Sequence, residues 1–338
     1  MPSEPANSEE LVLGFLAEAG DEFVSGEAIS DKLGLTRAAV WKHVEALRAR
    51  GYRIDAVPAH GYRLGAIPDR LTPLELRPLL NTHDIGQVLH HFEVIASTND
   101  HARALAEEGA GHGEVVVAEA QTGGRGRRGR PWVSPPGKNA YFSVILRPEL
   151  PPARAPELTL VGSVAICDAL RQAGVPAAIK WPNDLLVGGR KIAGILTELA
   201  SDEERVHWAV MGIGVNVNAQ VADFPDEVRD LATSLLLERG SAAPRALFVA
   251  ACLTALEDWL DRHAEEGFDP IRQAWRERTD TLGREVSVRT EGRELFGRAE
   301  DIDAQGALLV RTGEGLERIL SGDVIHLRAV GPSSPAPF

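Results

Sequence analysis

The sequence is poor in cysteine and in aromatic residues, and it contains no long apolar run. Its 338 residues include only two cysteines, Cys167 and Cys252. Both lie in apolar helical patterns, which indicates reduced core thiols and excludes a disulfide framework or a cysteine-based zinc site. No segment approaches the roughly 20 apolar residues that span a bilayer. The first residues, MPSEPANSEE, lack the basic and apolar regions of a secretory signal, so we expect a cytoplasmic protein without a membrane segment.

The composition that remains is typical of globular domains, with 44% hydrophobic and 25% charged residues. At roughly 150 residues per domain, the length predicts two or three domains. The net charge of −13 argues against a protein that coats nucleic acid non-specifically. Basic residues nevertheless cluster in two places. Asp31–Arg63 contains seven basic and three acidic residues, and Gln121–Lys138 contains five basic and no acidic ones.

Residues 1–66 have the element order of a winged helix-turn-helix domain. Ser25 and Thr36 are N-cap residues ahead of apolar helical stripes, and Gly34 and Gly51 are suited to end those helices. The predicted elements are helices over 9–19, 26–33 and 37–50 and strands over 52–57 and 61–64.

Residues 67–279 alternate strand and helix patterns after a short linker, which predicts an α/β domain. Residues 280–331 contain only short β-like runs with glycine turns and predict a small SH3-like β-barrel, so the expected fold class is α+β and multidomain. Residues 332–338 are expected to be a disordered tail. The predicted strands of the α/β domain are 115–118, 140–146, 177–180, 191–199 and 207–217, and its predicted helices are 99–108, 157–172 and 244–266.

The segment Gln121–Trp132 reads QTGGRGRRGRPW and holds four glycines and four arginines. Glycine lets backbone N–H groups approach an anion, and guanidinium groups bind phosphate or carboxylate in two-pronged contacts. It is not a Walker loop, because no GK[ST] follows at the required spacing. RGG-type RNA-binding tracts are the alternative, but this segment lies between two predicted strands. We therefore expect an anion-binding loop that covers a ligand.

Polar residues at predicted strand ends give further candidates. In KWPNDL, Pro182 ends a strand, so Asn183 and Asp184 follow directly after the strand end. A carboxylate at that position can hold Mg²⁺ beside a nucleotide. A plain turn capped by the aspartate remains possible. Lys191 begins an apolar strand and can face a carboxylate, or it can be a solvated strand end. GIGVN lacks the third glycine of a dinucleotide fingerprint.

The segment Ser97-Thr98-Asn99 lies at the predicted start of a helix. Its side chains can cap the helix, or they can bind the polar end of a ligand. Together with GRGRRGRPW, KWPNDL, KIAGIL and GIGVNVN, it resembles the bacterial biotin protein ligases. The N-terminal GLTRAAVWKHVEALRARGY resembles the DNA-binding domain of the bifunctional members, which also repress the biotin operon, and DAQGALLV resembles their C-terminal barrel.

This resemblance implies an enzyme that couples biotin to ATP and passes the biotinyl group to a lysine of the biotin carboxyl carrier domain of acetyl-CoA carboxylase. Arg125, Arg127, Lys191 and Asp184 would be the catalytic residues, with Mg²⁺ at Asp184. Lys191 would lie between the biotin carboxylate and the α-phosphate. The implied biotin-binding residues are Ser97, Thr98, Asn99, Gln121, Gly124, Arg125, Trp132, Lys191 and Gly194.

The nucleotide-binding residues implied by the resemblance are Arg127, Arg128, Trp132, Asn183, Lys191 and Asn216. Trp132 would cover the intermediate once the loop orders, and we expect the loop to be mobile without ligand. Phe224 is a weak candidate for the adenine contact, which the sequence leaves unassigned. Arg328 resembles a basic residue of the barrel.

For DNA binding, the resemblance and the local positive charge indicate Thr36, Arg37 and Lys42 on the recognition helix and Arg63 on the wing, beside Arg53 and His60. A two-fold operator requires a homodimer. A winged helix kept only for protein contacts is the alternative. Two other functions stay open: a lipoate-type ligase, and a transcription factor that senses a metabolite without turning it over.

Overall fold

The computed structural model describes residues 8–290 and 292–327 and divides the chain into two compact units, Met1–Leu79 and Leu80–Phe338. The predicted tail at 332–338 and Arg328 lie outside the described residues. No described helix is long and apolar enough to cross a bilayer.

The first unit has the winged helix-turn-helix order predicted from the sequence. Its elements are α1 (Ser8–Glu18), α2 (Gly26–Leu33), α3 (Arg37–Ala49), β1 (Arg53–Val57), β2 (Gly61–Ala66) and α4 (Pro73–Leu76). Ser25 Oγ accepts a hydrogen bond from the backbone N–H of Ala28, and Thr36 Oγ1 accepts one from Ala39. Gly34, with φ of +66°, ends α2 in the left-handed conformation that favours glycine. The predicted caps are therefore confirmed.

This unit extends beyond the expected boundary at residue 66. Leu74 of α4 belongs to the same buried cluster as Val12, Val40 and Leu47. The Tyr52 hydroxyl, just before β1, donates a hydrogen bond of 2.5 Å to the buried carboxylate of Glu75. The segment after the hairpin is thus packed against the winged helix. Its prolines and short length are typical of a linker, so this packing was not predicted.

The second unit contains a seven-stranded sheet of order β3-β4-β5-β9-β8-β7-β6, in which only the β3–β4 pair among the described strands is parallel. The strands are β3 (Leu89–Phe92), β4 (Val115–Ala118), β5 (Ala140–Leu146), β6 (Ala178–Lys180), β7 (Asp184–Val187), β8 (Arg190–Ser201) and β9 (Val206–Val215). The helices are α5 (Thr98–Glu107), α6 (Pro156–Gln172), α7 (Leu235–Arg239), α8 (Arg245–Glu266) and α9 (Asp269–Arg278).

Helices cover both faces of this sheet. Val210 on β9 packs in one cluster with Ala102 and Ala106 of α5. The next residue, Met211, faces Gly162 of α6, where a Cβ atom would lie 2.5 Å from its sulfur. Because side chains alternate along a strand, Gly212 and Gly214 lie on the α5 face. Beyond the N-terminus of α5, that face is lined by glycine.

The C-terminal strands form a separate five-stranded antiparallel sheet of order β13-β12-β11-β10-β14. They are β10 (Glu285–Arg289), β11 (Glu294–Ile302), β12 (Leu308–Thr312), β13 (Gly315–Ile319) and β14 (Asp323–His326). This is the small C-terminal β-domain predicted from the sequence. It joins the larger sheet through Trp181, whose indole N–H donates to the Gly306 carbonyl at 3.1 Å.

Candidate active site and DNA-binding face

A cavity of about 490 Å³ lies on the glycine-lined part of the seven-stranded sheet. Gly194 on β8 pairs with Gly214 on β9, and Leu196 pairs with Gly212. A Cβ atom on Gly212 would lie 1.9 Å from Asn99 Oδ1, and one on Gly214 would lie 2.7 Å from the indole of Trp132. The glycines therefore bring the backbone floor into direct contact with the groups above it, which no larger residue permits.

One end of the cavity is lined mainly by hydroxyl and amide groups, and it is built on the N-terminus of α5. Ser97 is the N-cap, and Gln121 Oε1 accepts hydrogen bonds from the backbone N–H of Thr98 at 2.9 Å and from its hydroxyl at 3.2 Å. Ser143 Oγ donates to Asn99 Oδ1 at 2.7 Å. Ser97, Thr98 and Asn99 are all buried. These residues, expected to bind biotin, are therefore brought together as a preorganised hydrogen-bonding wall.

Arg125 lies at this polar end. Its guanidinium nitrogens lie 2.6 Å from both carboxylate oxygens of Asp100 and 3.2 Å from those of Glu198. The Arg125 hydrogen bonds hold the pKa of the Asp100 carboxyl below its usual value of 3.8. Arg125 was predicted to help neutralise a substrate anion, whereas in the structure two carboxylates already bind it.

Arg127 enters the cavity from the same loop. Its Nη1 donates to the Gly322 carbonyl at 3.0 Å and to Asn183 Oδ1 at 3.3 Å. Burial lowers the pKa of Arg127 from its usual value, because few groups around it compensate for lost water. A partly desolvated guanidinium that lines a cavity is well suited to bind a phosphate or carboxylate.

Arg128 and Arg130 point towards the C-terminal sheet. Asp323 on β14 accepts from Arg128 at 3.2 Å and from Arg130 at 2.5 Å, and Arg128 also donates to the Arg289 carbonyl. Arg130 still lines the cavity, whereas Arg128 does not. The nucleotide-binding role that the motif implied for Arg128 therefore stays a prediction, and in this structure its guanidinium pairs with Asp323.

Lys191 and Asp184 form an ion pair at the opposite end from Arg125. Lys191 Nζ lies 2.5 Å from Asp184 Oδ1. It also lies 5.3 Å from the centre of the Trp132 ring that it faces. Both side chains line the cavity and are about one third and one quarter exposed, at 34% and 24%. Lys191 is therefore neither a fully solvated strand end nor a buried core residue, and it is available to a ligand.

The Trp132 indole covers the glycine floor, in contact range of both Gly194 and Gly214. Its Nε1 is buried and has no hydrogen-bond partner among the residues that the structure describes. Gly124 beside it is equally constrained, because a Cβ there would lie 2.6 Å from the Trp132 carbonyl. A buried N–H that lacks an acceptor beside a cavity is a natural contact for a ligand oxygen.

Asn183 and Asn216 shape the cavity wall through bonds to backbone. Asn183 Nδ2 donates to the Ile195 carbonyl at 2.7 Å, and Asn216 Nδ2 donates to the Thr233 carbonyl at 3.0 Å. Both line the cavity, so a nucleotide contact remains open to them. Their present bonds indicate that they also hold the loops around the site.

Sequence reasoning missed most of an apolar wall formed by the segment after β9. Phe224, Pro225, Val228 and Leu231 line the cavity, and Leu231 is 64% exposed. Phe224 was a weak candidate, and the others gave only scattered apolar letters without a helix or strand period. An exposed leucine and valine at a cavity rim favour a flat apolar ligand surface.

Asp184 is the proposed metal ligand, and it is a lone carboxylate. Among residues 8–290 and 292–327, no group of three or more histidine, cysteine or acidic side chains could hold a metal ion. Mg²⁺ commonly binds one or two carboxylates and takes its other ligands from water and substrate phosphates. The donor set therefore fits a metal that arrives with a nucleotide, and it does not fit a resident metal centre.

The DNA-binding candidates lie on the exposed side of the first unit. Thr36 caps α3, Arg37 forms a 2.6 Å ion pair with Glu27, and Lys42 is exposed. Arg63 on the wing donates to Asp55 at 2.9 Å and packs over the Phe23 ring.

Trp41, which was not among the predicted DNA-binding residues, is 58% exposed on α3 beside Lys42. An exposed tryptophan next to cations on a recognition helix suits contact with base edges.

The family comparisons agree with this architecture. Residues 91–216 match the biotin/lipoate A/B protein ligase family, residues 281–327 match the biotin protein ligase C-terminal domain, and residues 9–63 match an HTH domain. The resemblance inferred from the motifs is thereby confirmed.

Individual relatives extend over nearly the whole chain. It is 42% identical over 314 residues to the bifunctional ligase/repressor BirA of Bacillus subtilis, covering 93% of this chain and 97% of the relative. The Escherichia coli BirA is 35% identical, covering 92% and 95%. A solved biotin protein ligase from Aquifex aeolicus, in complex with biotin and ATP, is 30% identical with a TM-score of 0.62, covering 72% of this chain and 99% of that one. The chain therefore belongs to the biotin/lipoate A/B protein ligase family and is a ligase with an N-terminal helix-turn-helix domain.

Proposed function

We propose that this enzyme activates biotin with ATP as biotinyl-5′-AMP and transfers the biotinyl group to one lysine of a biotin carboxyl carrier domain. The observation that carries the proposal is the division of one cavity into an end lined by hydroxyl and amide groups, where carboxylates pair with Arg125, and an end where Lys191 and Arg127 line the cavity. Biotin has a matching division, because a neutral ureido ring and a carboxylate stand at opposite ends of the molecule.

The polar end of the cavity favours binding of the ureido ring of biotin over binding of the dithiolane ring of lipoate. Gln121, Thr98 and Ser97 are partly or wholly buried and present both donors and acceptors, which a ureido group can satisfy. The dithiolane ring of lipoate has no comparable donors or acceptors, so its binding would remove water from the remaining hydrogen-bonding positions of these groups without replacing it. Each such loss costs about 1–3 kcal/mol. This physical difference favours biotin over a lipoate-type substrate.

The cationic end supports adenylation. A biotin carboxylate oxygen attacks the α-phosphorus of ATP, and the bond to pyrophosphate breaks with its electron pair leaving on pyrophosphate. Lys191 and Arg127 would offset the charge of the two approaching anions. Asp184 would help to hold Mg²⁺ through the nucleotide phosphates, and the metal would supply further charge neutralisation.

The apolar wall supports the position of the adenine base. Phe224, Val228 and Leu231 line the same cavity as Trp132, and they offer an apolar surface on which the flat adenine ring can pack. This assignment fills the gap left by the sequence analysis, in which the adenine contact had no clear candidate.

In the second step, the uncharged amine of the carrier lysine attacks the biotinyl carbonyl carbon. The new C–N bond forms while the bond to the phosphate oxygen breaks, AMP leaves with the electron pair, and the amine loses a proton. No side chain of this chain forms a covalent bond. The requirement placed on the enzyme is to keep water from the mixed anhydride, which the Trp132 indole and the Arg–Gly loop (residues 121–132) would meet.

The test is to incubate the full chain with ATP, Mg²⁺, biotin and a carboxyl carrier domain, and to weigh the carrier. A single biotinyl mass on wild-type carrier, and none on a carrier whose acceptor lysine is replaced by arginine, supports the proposal. Labelling by lipoate but not by biotin would select the lipoate-type ligase. Binding of biotin without any labelling would select a non-catalytic sensor.

We also propose a repressor role on operator DNA. It rests on the exposed face of α3, where Arg37, Trp41 and Lys42 stand together, and on the local excess of basic residues. A two-fold operator would be bound by a homodimer, and adenylate-promoted dimerisation would link ligand loading to DNA affinity. A gel shift with and without biotin plus ATP tests this. The two free cysteines fit the cytoplasm, in which we place the protein.

A further inference from the structure

Arg125 fastens the Arg–Gly loop to two other elements of the fold. Its Nη1 and Nη2 atoms reach Asp100 on the first turn of α5, and Nη2 also reaches Glu198 on β8. Bonds between charged groups in this geometry are about twice as strong as neutral hydrogen bonds. We name these three side chains, Arg125, Asp100 and Glu198, the loop clamp.

The loop clamp is itself held in place by the polar end of the cavity. Asn99 Nδ2 donates to Glu198 Oε2 at 2.8 Å and to the Leu196 carbonyl at 3.3 Å. Asn99 can lie this close to the sheet only because Gly212 has no side chain. Ser143 fixes the other atom of the Asn99 amide. The position of Glu198 therefore depends on residues that form the floor and wall of the site.

The charge balance argues against a direct role of Arg125 on a substrate anion. Arg125 and Arg103 together face the carboxylates of Asp100 and Glu198, so the cluster is balanced and offers no surplus positive charge to a ligand. Glu198 and Lys191 also stand seven positions apart on β8, which places their Cα atoms roughly 20 Å apart at about 3.3 Å per residue. An anion held by Lys191 is therefore far from Arg125, whose Nη1 and Nη2 atoms already donate to carboxylates.

A second attachment holds the other half of the loop. Arg127 donates to the Gly322 carbonyl, and Arg128 and Arg130 bind Asp323. Between the two attachments the chain passes through Gly126, which places no side chain in the way. Without the loop clamp, the segment between Gln121 and Arg127 would be held only by backbone bonds and the Gln121 side chain, while the C-terminal attachment would remain.

We propose that Asp100 and Glu198 are positioning residues: through Arg125 they keep the Arg–Gly loop closed over the cavity and so set how long the activated acyl-adenylate stays enclosed. The inference rests on the proposed adenylation. It assigns Arg125 to the retention of the intermediate, while Arg127 and Lys191 serve its formation.

The test compares wild type with Asp100→Asn, Glu198→Gln and the double variant in the full chain. Trypsin cleaves after arginine, so cleavage within Arg125–Arg130 reports loop opening, and it is measured with and without biotin plus ATP. We expect the ligands to protect the wild-type loop. Protection falls about tenfold in each single variant, because one charge-assisted contact of this kind changes an equilibrium by about that factor.

A second readout separates positioning from simple loss of stability. Release of biotinyl-5′-AMP into solution, measured without carrier, is expected to rise about tenfold in the variants. At saturating carrier, the rate of specific transfer should change little. Asp100→Glu keeps a carboxylate and is expected to restore most of the protection. The matched control is Asp269→Asn, which removes an exposed carboxylate paired with Arg272 on α9.

The outcomes distinguish this inference from the proposed function. If ligands protect the variant loops as fully as the wild-type loop and adenylate release is unchanged, the loop clamp has no positioning role. If transfer, release and melting temperature all fall together and Asp100→Glu restores nothing, the residues are merely structural and the inference is wrong. If the wild-type chain forms no adenylate at all, the proposed function fails instead.

Discussion

Lys191 Nζ lies 2.5 Å from Asp184 Oδ1 at the cationic end of the cavity, across the turn between β7 and β8. In the proposed mechanism, Lys191 offsets the charge of the reacting anions and Asp184 helps to hold Mg²⁺. A carboxylate or phosphate that approaches Lys191 must either share the lysine ammonium group with Asp184 or displace Asp184 from it. The ion pair thus holds the lysine ready without burying it.

Replacement of Lys191 by methionine keeps a side chain of similar length and removes the charge. We expect kcat for adenylate formation to fall by about 10²–10³, the range seen when one group that stabilises developing charge is lost. Arg190→Met is the matched control, because Arg190 is adjacent, exposed and paired with Glu238 away from the cavity. An equal loss of rate in both variants would contradict the assigned role of Lys191.

The glycine floor makes a steric prediction. A methyl group at position 214 would lie 2.7 Å from the Trp132 indole, so Gly214→Ala must displace the ring. We expect KM for biotin and for ATP to rise about tenfold or more, since an overpacked site costs about 1–3 kcal/mol. Gly14→Ala in α1 has nothing within 4 Å of the new atom and is the control. It should leave ligation unchanged and stabilise the fold by about 0.5–1 kcal/mol.

The exposed Trp41 predicts a separable effect on DNA. Trp41→Ala should weaken binding to duplexes that the wild-type chain selects from a random-sequence library by about tenfold, which is the cost of one lost base contact. Its salt dependence should stay the same, whereas Lys42→Ala should lower the slope of log K against log salt by about 1. Ligase activity should be unaffected in both.

Leu11→Ala is the control for Trp41, because Leu11 is also an exposed apolar residue of the first unit. If this variant weakens DNA binding as much as Trp41→Ala does, the contact face is not the one inferred from α3.

His326 predicts a pH dependence of stability. Burial lowers the pKa of its imidazole from 6.5 to about 4, and its ring lies 3.3 Å from the Thr281 hydroxyl. The unfolded chain therefore binds a proton more readily than the folded chain between pH 6.5 and 4. The free energy of unfolding should decrease as the pH falls through this window and level off below it.

The measurement is chemical denaturation of wild type and His326→Gln at several pH values. Because glutamine does not titrate, the variant should lose less stability between pH 6.5 and 4 than the wild type does. Parallel curves for the two proteins would show that His326 does not contribute to the pH dependence.

The helix boundaries show what the sequence could predict. Ser25, Thr36 and Gly34 have roles that follow from their own chemistry, and each stands where it was expected. The strands that form the floor of the cavity were found because their apolar runs are bounded by glycine and proline.

The loop clamp shows what the sequence could not predict. Asp100 and Glu198 are common acidic residues on a helix and a strand, and nothing near either of them in the chain points to Arg125. Their pairing depends on the three-dimensional register of α5, the loop and β8. The same holds for Arg128, which Asp323 binds from almost 200 positions away, and for the apolar wall after β9, which has no regular period.

The most direct test of the central claim is biotin-dependent exchange of labelled pyrophosphate into ATP, measured without any carrier protein. This exchange isolates the first chemical step and requires both ends of the cavity at once. The account predicts exchange by the wild-type chain only when biotin is present, and its loss in Lys191→Met. Exchange that proceeds without biotin, or that continues at the wild-type rate in Lys191→Met, would contradict it.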